Sequence, residues 1–226
     1  MRFDTDFFIE KLYLIPVILI SLSIHELSHA YSSYRLGDPT AKLAGRLTLN
    51  PLRHLDPLGT LMLLITRFGW AKPVPINPMY YKDRKKGTML VSFAGPLSNL
   101  ILAFICAFPL VFSAAKYGFS IGSIYKGWDI RIILYNLTYL FYAININLAI
   151  FNLLPVPPLD GSKILGGVLP VNQYNKMLYY ERYIGIIFII ILFMFPSVLS
   201  TILSPVIWLV QTGIMTIVRP VVELFL

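Results

Sequence analysis

Charge and sulfur are what this sequence has least of. Of its 226 residues only 13% are Asp, Glu, Lys or Arg, and the single cysteine, Cys106, lies in an apolar run. One thiol excludes an internal disulfide and a thiolate metal cluster. Three histidines in the whole chain leave few places for imidazole chemistry. The shortage of charge has a further consequence. With 57% hydrophobic residues and a mean hydropathy of +0.70, a soluble domain of this length could not hide its apolar surface. Uncharged runs at 89–115 and 132–154 exceed the ~20 residues a bilayer-spanning helix needs. The chain reads as an all-α polytopic membrane protein. A single membrane-embedded domain is expected over 1–226, a bundle of about four to six transmembrane helices in the lipid bilayer.

The net charge of +8 does not point to nucleic acid. The basic residues gather in loops between apolar runs, and no RNA- or DNA-binding signature is present. Ten of the nineteen Lys and Arg fall within 35–86. The positive-inside tendency then places that region in the cytoplasm, in a multi-pass protein of the cell membrane, with the N-terminus outside. Asp4, Asp6 and Glu10 precede the apolar run 12–24, where a signal peptide carries positive charge, so the segment is taken as retained.

Spans are expected at 12–34, 88–115, 131–154 and 183–203, the last interrupted at Pro196. The first is about 35 Å long at 1.5 Å per residue and stops at Gly37-Asp38-Pro39. The tail, 205–226, fits either a fifth span or an interfacial helix. In "LGTLMLLITRFGW" the uncharged core 58–66 is too short to cross. With basic residues on both flanks, a short re-entrant or extended segment is expected near 57–81. Prolines at 73, 75 and 78 in "WAKPVPINPMYY" exclude an ordinary helix and suit an edge strand or an extended loop. A rigid connector is the plainer reading of 70–81.

The first span contains His25-Glu26-Leu27-Ser28-His29, an H-E-x-x-H motif. On a helix, positions i and i+4 share a face, so both imidazoles can reach one ion, and neutral imidazole suits zinc. Glu26 falls on the flank of that face, placed to act on water without ligating. Ser21, His25, His29 and Ser32 form a polar stripe that has to face the bundle interior, since ionisable groups facing lipid cost at least ~2.5 kcal/mol each. Two packed, hydrogen-bonded histidines are the alternative, but inside a membrane helix such a trio is hard to explain without function.

A catalytic zinc needs a third protein ligand and an open position. His54, beside Asp56, qualifies by ligand type. Asp160, in "NLLPVPPLDGSKI", qualifies by location, because broken backbone at membrane depth lines a cavity. Asp160 also fits a helix N-cap. The residues alone leave this choice open.

Together, HELSH at 25–29, FAGPLSN at 93–99 and NLLPVPPLDG at 152–161 resemble the site-2 protease family of intramembrane zinc metalloproteases. NPLRHLDPLGT and WAKPVPINP are similar to its members as well, so the resemblance spans most of 20–165. It implies one Zn2+ per chain held by His25, His29 and Asp160, with Glu26 as general base. Asn152 would contact the substrate or the oxyanion. His54 and Asn99 would support the ligands or touch substrate, and 70–81 would pair with a locally unwound substrate strand. The substrate would be a transmembrane protein or peptide cut within or near its membrane segment, with the active site toward the cytoplasm. The chain is expected to be a minimal member without PDZ or CBS domains. A membrane metal-binding or metal-transport protein, or a silent relative that binds helices without cutting, are the rival readings.

Overall fold

The structure, a computed structural model, describes residues 5–59 and 71–226. Apart from its first two residues, the re-entrant core expected at 58–66 lies outside them. Seven α-helices are described: α1 (Thr5–Arg35), α2 (Thr40–Leu43), α3 (Arg84–Tyr117), α4 (Ile130–Asn152), α5 (Asp160–Val168), α6 (Val171–Met194) and α7 (Pro196–Glu223), with 3-10 turns at Pro51–Arg53 and Pro78–Tyr80. Among the described residues, β pairing is limited to one antiparallel bridge between Leu55 and Ala71. Among the described residues, five helices are long and apolar enough to cross a membrane: Leu12–Arg35, Arg84–Tyr117, Ile130–Asn152, Val171–Met194 and Ser197–Glu223. The protein is an all-α, multi-pass membrane protein.

The first three spans follow the expected boundaries closely; the fourth does not. Instead of one helix at 183–203 interrupted by Pro196, α6 ends at Met194 and a new helix starts at Pro196, absorbing the undecided tail. Proline at a first helical position sacrifices only an N–H that has no intrahelical partner, so here it begins a helix rather than breaking one. The start of α6 is hidden from hydropathy because Asn172, Gln173, Asn175, Lys176, Glu181 and Arg182 crowd its first half.

Local chemistry fixes the helix ends that matter for the site. The Asp83 carboxylate accepts from the N–H groups of Lys85 and Lys86 and so caps α3, and Gly118, in the left-handed region at φ 70°, ends it. Asp129 caps α4 in the same way through Arg131 N–H.

Helix α3 runs through the middle, packed on α1, α4, α5 and α7. Its Ala103 and Ala107 are fully buried against Tyr135, Tyr142, Ile146 and Ile150 of α4 and Val218 and Val222 of α7. Lipid gives helices no hydrophobic reason to associate, so close packing of small side chains and interhelical hydrogen bonds hold such a bundle together. Followed back at four-residue intervals, the same stripe of α3 reaches Asn99 and Gly95, also buried. There α1 packs against it and the interior turns polar. Helices α6 and α7 bury only 6% of their apolar windows, against 33% for the other three spans, and so leave most of that surface uncovered by the rest of the chain.

Candidate metal centre

His25 and His29 project from one face of α1 with their ring centroids 4.6 Å apart. Asp160 reaches them from the start of α5. Its Oδ2 lies 3.2 Å from His25 Nε2 and 3.1 Å from His29 Nε2, and the two Nε2 atoms are 3.0 Å apart.

The far side of each ring shows what these three atoms are for. His29 Nδ1 sits 2.7 Å from the carbonyl of Val91, which can only accept, so Nδ1 carries the proton. His25 Nδ1 lies 2.5 Å from Asn99 Oδ1. The Asn99 amide orientation follows from its own partners: Nδ2 donates to Asn145 Oδ1 at 2.7 Å and to the Ser21 carbonyl at 3.4 Å, leaving Oδ1 to accept from His25. With both Nδ1 atoms donating away from the cluster, the two Nε2 atoms face each other and a carboxylate oxygen. Such a trio at ~3 Å spacing calls for a cation at its centre. Zinc with ligand bonds near 2.0 Å sets tetrahedral edges of about 3.3 Å, close to the spacings found. The donor set therefore fits Zn2+, and these three residues could hold an ion together.

The backbone around Asp160 explains how the carboxylate arrives. The chain leaves α4 after Asn152 through a tight turn in which Leu154 N–H donates to Phe151 O at 3.1 Å and Leu159 N–H to Val156 O at 3.0 Å. Gly161 lies so close beneath this turn that a Cβ would collide with the Leu153 and Leu154 carbonyls. The N-cap position falls on Leu159, without a side-chain cap. Asp160 is thus not used to start α5; its carboxylate turns to the imidazoles instead. Gly95 makes room on the opposite side, since a Cβ there would strike His29 Nε2 and come within 2.6 Å of His25 Cε1.

The remaining expected residues are placed as follows. Glu26 stands outside the three-residue cluster, and its Oε2 accepts the N–H of Val74 at 3.0 Å. Asn99 directly supports His25. Asn152 ends α4 with its Nδ2 donating to Leu148 O at 2.9 Å, and no hydrogen bond joins it to the cluster among the described residues. His54 is not brought there either: it is buried, with Nε2 donating to the Thr48 carbonyl at 2.8 Å. Asp56 accepts from Gly59 N–H at 2.8 Å. Residues 72–77 form neither helix nor paired strand, as the prolines require, and Val74 N–H goes to Glu26 and Lys72 N–H to His54 O at 2.8 Å. Exposed Pro73 and Pro75 bring carbonyls but no N–H to any partner strand.

Sequence reasoning missed Asn145, whose Nδ2 donates to Ser21 Oγ at 2.8 Å and completes a buried chain from Ser21 to His25. The available signal was an uncharged amide inside an apolar span. It also missed Asp38, fully buried, which accepts from Ser33 Oγ at 2.8 Å, Thr40 N–H at 2.9 Å, the Thr40 hydroxyl and Asn77 N–H at 2.7 Å. Burial opposes the charge of this carboxylate, but the four donors outweigh it and hold its pKa below the usual carboxylate range.

A pair of helical imidazoles completed by a carboxylate from a distant helix is the arrangement of a zinc-dependent hydrolase centre, here enclosed by membrane helices. The description "Peptidase family M50" matches residues 13–195, and the chain belongs to that family, the site-2 proteases; it is a zinc metalloprotease. It is 44% identical over 185 residues to YwhC of Bacillus subtilis (strain 168), covering 81% of each chain. Rip2 of Mycobacterium tuberculosis (strain ATCC 25618 / H37Rv) is 30% identical over 198 residues, 84% of this chain and 70% of its own. Both are named as candidate zinc metalloproteases. Zinc metalloprotease MJ0392 of Methanocaldococcus jannaschii is 25% identical over 153 residues, 68% of this chain and 33% of its own. No solved structure matches the chain.

Proposed function

We propose that this protein is an intramembrane endopeptidase, hydrolysing peptide bonds within or near the transmembrane segments of membrane-anchored substrates from the cytoplasmic side of the cell membrane. One observation carries this reading: the depth of the cluster. His25 lies well inside the span Leu12–Arg35, about 20 Å from its start at 1.5 Å per residue, and both Gly95 and Asn99 belong to the span Arg84–Tyr117. A protease centre at that depth meets membrane segments before it meets soluble protein.

In this reading His25, His29 and Asp160 hold the zinc, which supplies Lewis acidity that polarises a scissile carbonyl and acidifies the attacking water. Glu26 accepts the proton of that water and returns it to the leaving amine, a role that suits a carboxylate on the same helix but apart from the ligand cluster. Asn152 has one amide N–H engaged by Leu148 O and a second to offer the carbonyl oxygen as charge builds there. A substrate helix has to unwind to present its carbonyl, and the carbonyls of exposed Pro73 and Pro75 offer acceptors to the N–H groups it frees.

Purified wild-type protein, Glu26→Gln and Asp160→Asn, assayed on a single-span substrate with zinc analysis in parallel, test the assignment. Glu26→Gln is expected to keep one zinc and lose about 10²–10⁴-fold in turnover, while Asp160→Asn loses zinc. Wild-type cleavage by Glu26→Gln sinks the mechanism. Zinc flux into liposomes without any cleavage points instead to ion passage.

A further inference from the structure

The proline-rich segment 72–77 contains four backbone N–H groups, on Lys72, Val74, Ile76 and Asn77, because Pro73 and Pro75 have none. Three of the four have a definite partner. Lys72 N–H donates to His54 O at 2.8 Å, next to the Leu55–Ala71 bridge, and Asn77 N–H to the buried Asp38 at 2.7 Å. Between these anchors, Val74 N–H donates to Glu26 Oε2 at 3.0 Å. Lys72 and Val74 thus turn their donors to partners within the molecule, and the prolines occupy positions where neither donor is lost.

The prolines also fix the donor before Glu26 meets it. Pro73 has its φ set by its ring, and Val74, preceding Pro75, is confined to extended conformations. A glutamate side chain by itself has three rotatable bonds and many orientations, whereas proton transfer needs the carboxylate within hydrogen-bond reach of water in one geometry. A rigid backbone donor on one carboxylate oxygen removes that freedom and leaves the other oxygen for the reaction.

We propose that Val74 is a positioning residue, whose backbone N–H, set in a proline-stiffened segment, aims Glu26 at the attacking water. The proposal rests on the role of Glu26 given above. It makes Val74 act through its backbone, not its side chain, and makes the anchor at Asp38 part of the same device.

Hydrogen–deuterium exchange tests the contact without reference to activity. The segment 72–77 contributes at most four exchangeable backbone amides to a peptide that covers it, so loss of protection at one of them is directly visible. Glu26→Ala in the full-length, zinc-free protein is expected to release one slow amide; an unchanged profile overturns the proposal. Kinetics test the consequence. Val74→Pro removes the N–H at a site already followed by proline. It is expected to retain zinc and KM while kcat falls at least ~10-fold. Ile76→Pro removes an N–H that has no partner among the described residues and should stay within ~3-fold of wild type. Unchanged kcat in Val74→Pro, a rise in KM instead of a fall in kcat, or equal losses in Val74→Pro and Ile76→Pro each overturn it, the last two by assigning the segment to substrate binding. Wild-type cleavage by Glu26→Gln overturns the underlying mechanism instead, and so separates the two failures.

Discussion

Asn99 Oδ1 accepts the Nδ1 proton of His25 at 2.5 Å, and this one bond decides which nitrogen of that ring faces His29 and Asp160. A carboxylate is the more familiar partner for a metal-binding imidazole, but in the proposed site a neutral amide would do the same work without adding a charge to the bundle interior. Its direction is fixed in turn by Asn145, which Ser21 holds.

Replacing Asn99 by leucine therefore removes more than one hydrogen bond. The Nδ1 proton of His25 and the Asn145 carbonyl oxygen are both stranded in a buried site. Zinc affinity is expected to fall about 10–100-fold, measured by competition with a chromophoric chelator. Affinity equal to wild type would mean that the ring needs no such support.

Gly95 makes a sharper steric prediction. Alanine at this position places a methyl group against both imidazoles, and neither can retreat without losing Val91 O or Asn99. Overpacking of this kind costs about 1–3 kcal/mol. Gly95→Ala is expected to lose stoichiometric zinc and cleavage while far-UV circular dichroism keeps its helical amplitude. Zinc bound one-to-one in this variant would contradict the close approach of α3.

These two residues also mark how far the sequence can be read. HELSH, the small-residue flank of FAGPLSN and the isolated Asp160 were visible because an ionisable or tightly spaced group inside an apolar run has few explanations. Residue type and location alone left His54 and Asp160 open, since ligand type favoured one and location the other, and only the family resemblance pointed to Asp160. The turn after Asn152, packed on Gly161, is what brings that carboxylate beside the imidazoles. The Val91 carbonyl that orients His29 has no residue signature, as every residue brings a carbonyl. Asp38 read as part of a helix stop because its donors Ser33 and Asn77 lie on separate elements. The α6 start stayed hidden because polar residues lower its hydropathy without weakening its backbone ladder.

Asp38 predicts a pH dependence. Its folded pKa lies below the ordinary value, so between the two the unfolded chain binds the additional proton. The stability it contributes is complete above pH ~4 and is lost as pH falls through the lowered folded value. Asp38→Asn cannot accept on both oxygens and is expected to be less stable at pH 7 by about 1–3 kcal/mol. Thermal melts in detergent from pH 7 to pH 3 should show the two proteins converging at the acid end. Parallel curves would remove Asp38 as the cause.

Orientation in the membrane can be tested with the two loops that flank α3. The region 35–86 carries ten Lys and Arg, whereas the loop 118–129 has one basic residue, Lys126, and one acid, Asp129. By the positive-inside tendency that asymmetry predicts the first region in the cytoplasm and the second outside. Leu43 and Trp128 report on them, being 83% and 72% exposed. In a Cys106→Ser background, a membrane-impermeant maleimide on intact cells should label the Trp128→Cys variant at once. The Leu43→Cys variant should react only after the membrane is opened. The reverse pattern would invert the bundle, turn the end of α1 that carries His29 toward the outer face, and leave cytoplasmic cleavage without a route to the metal.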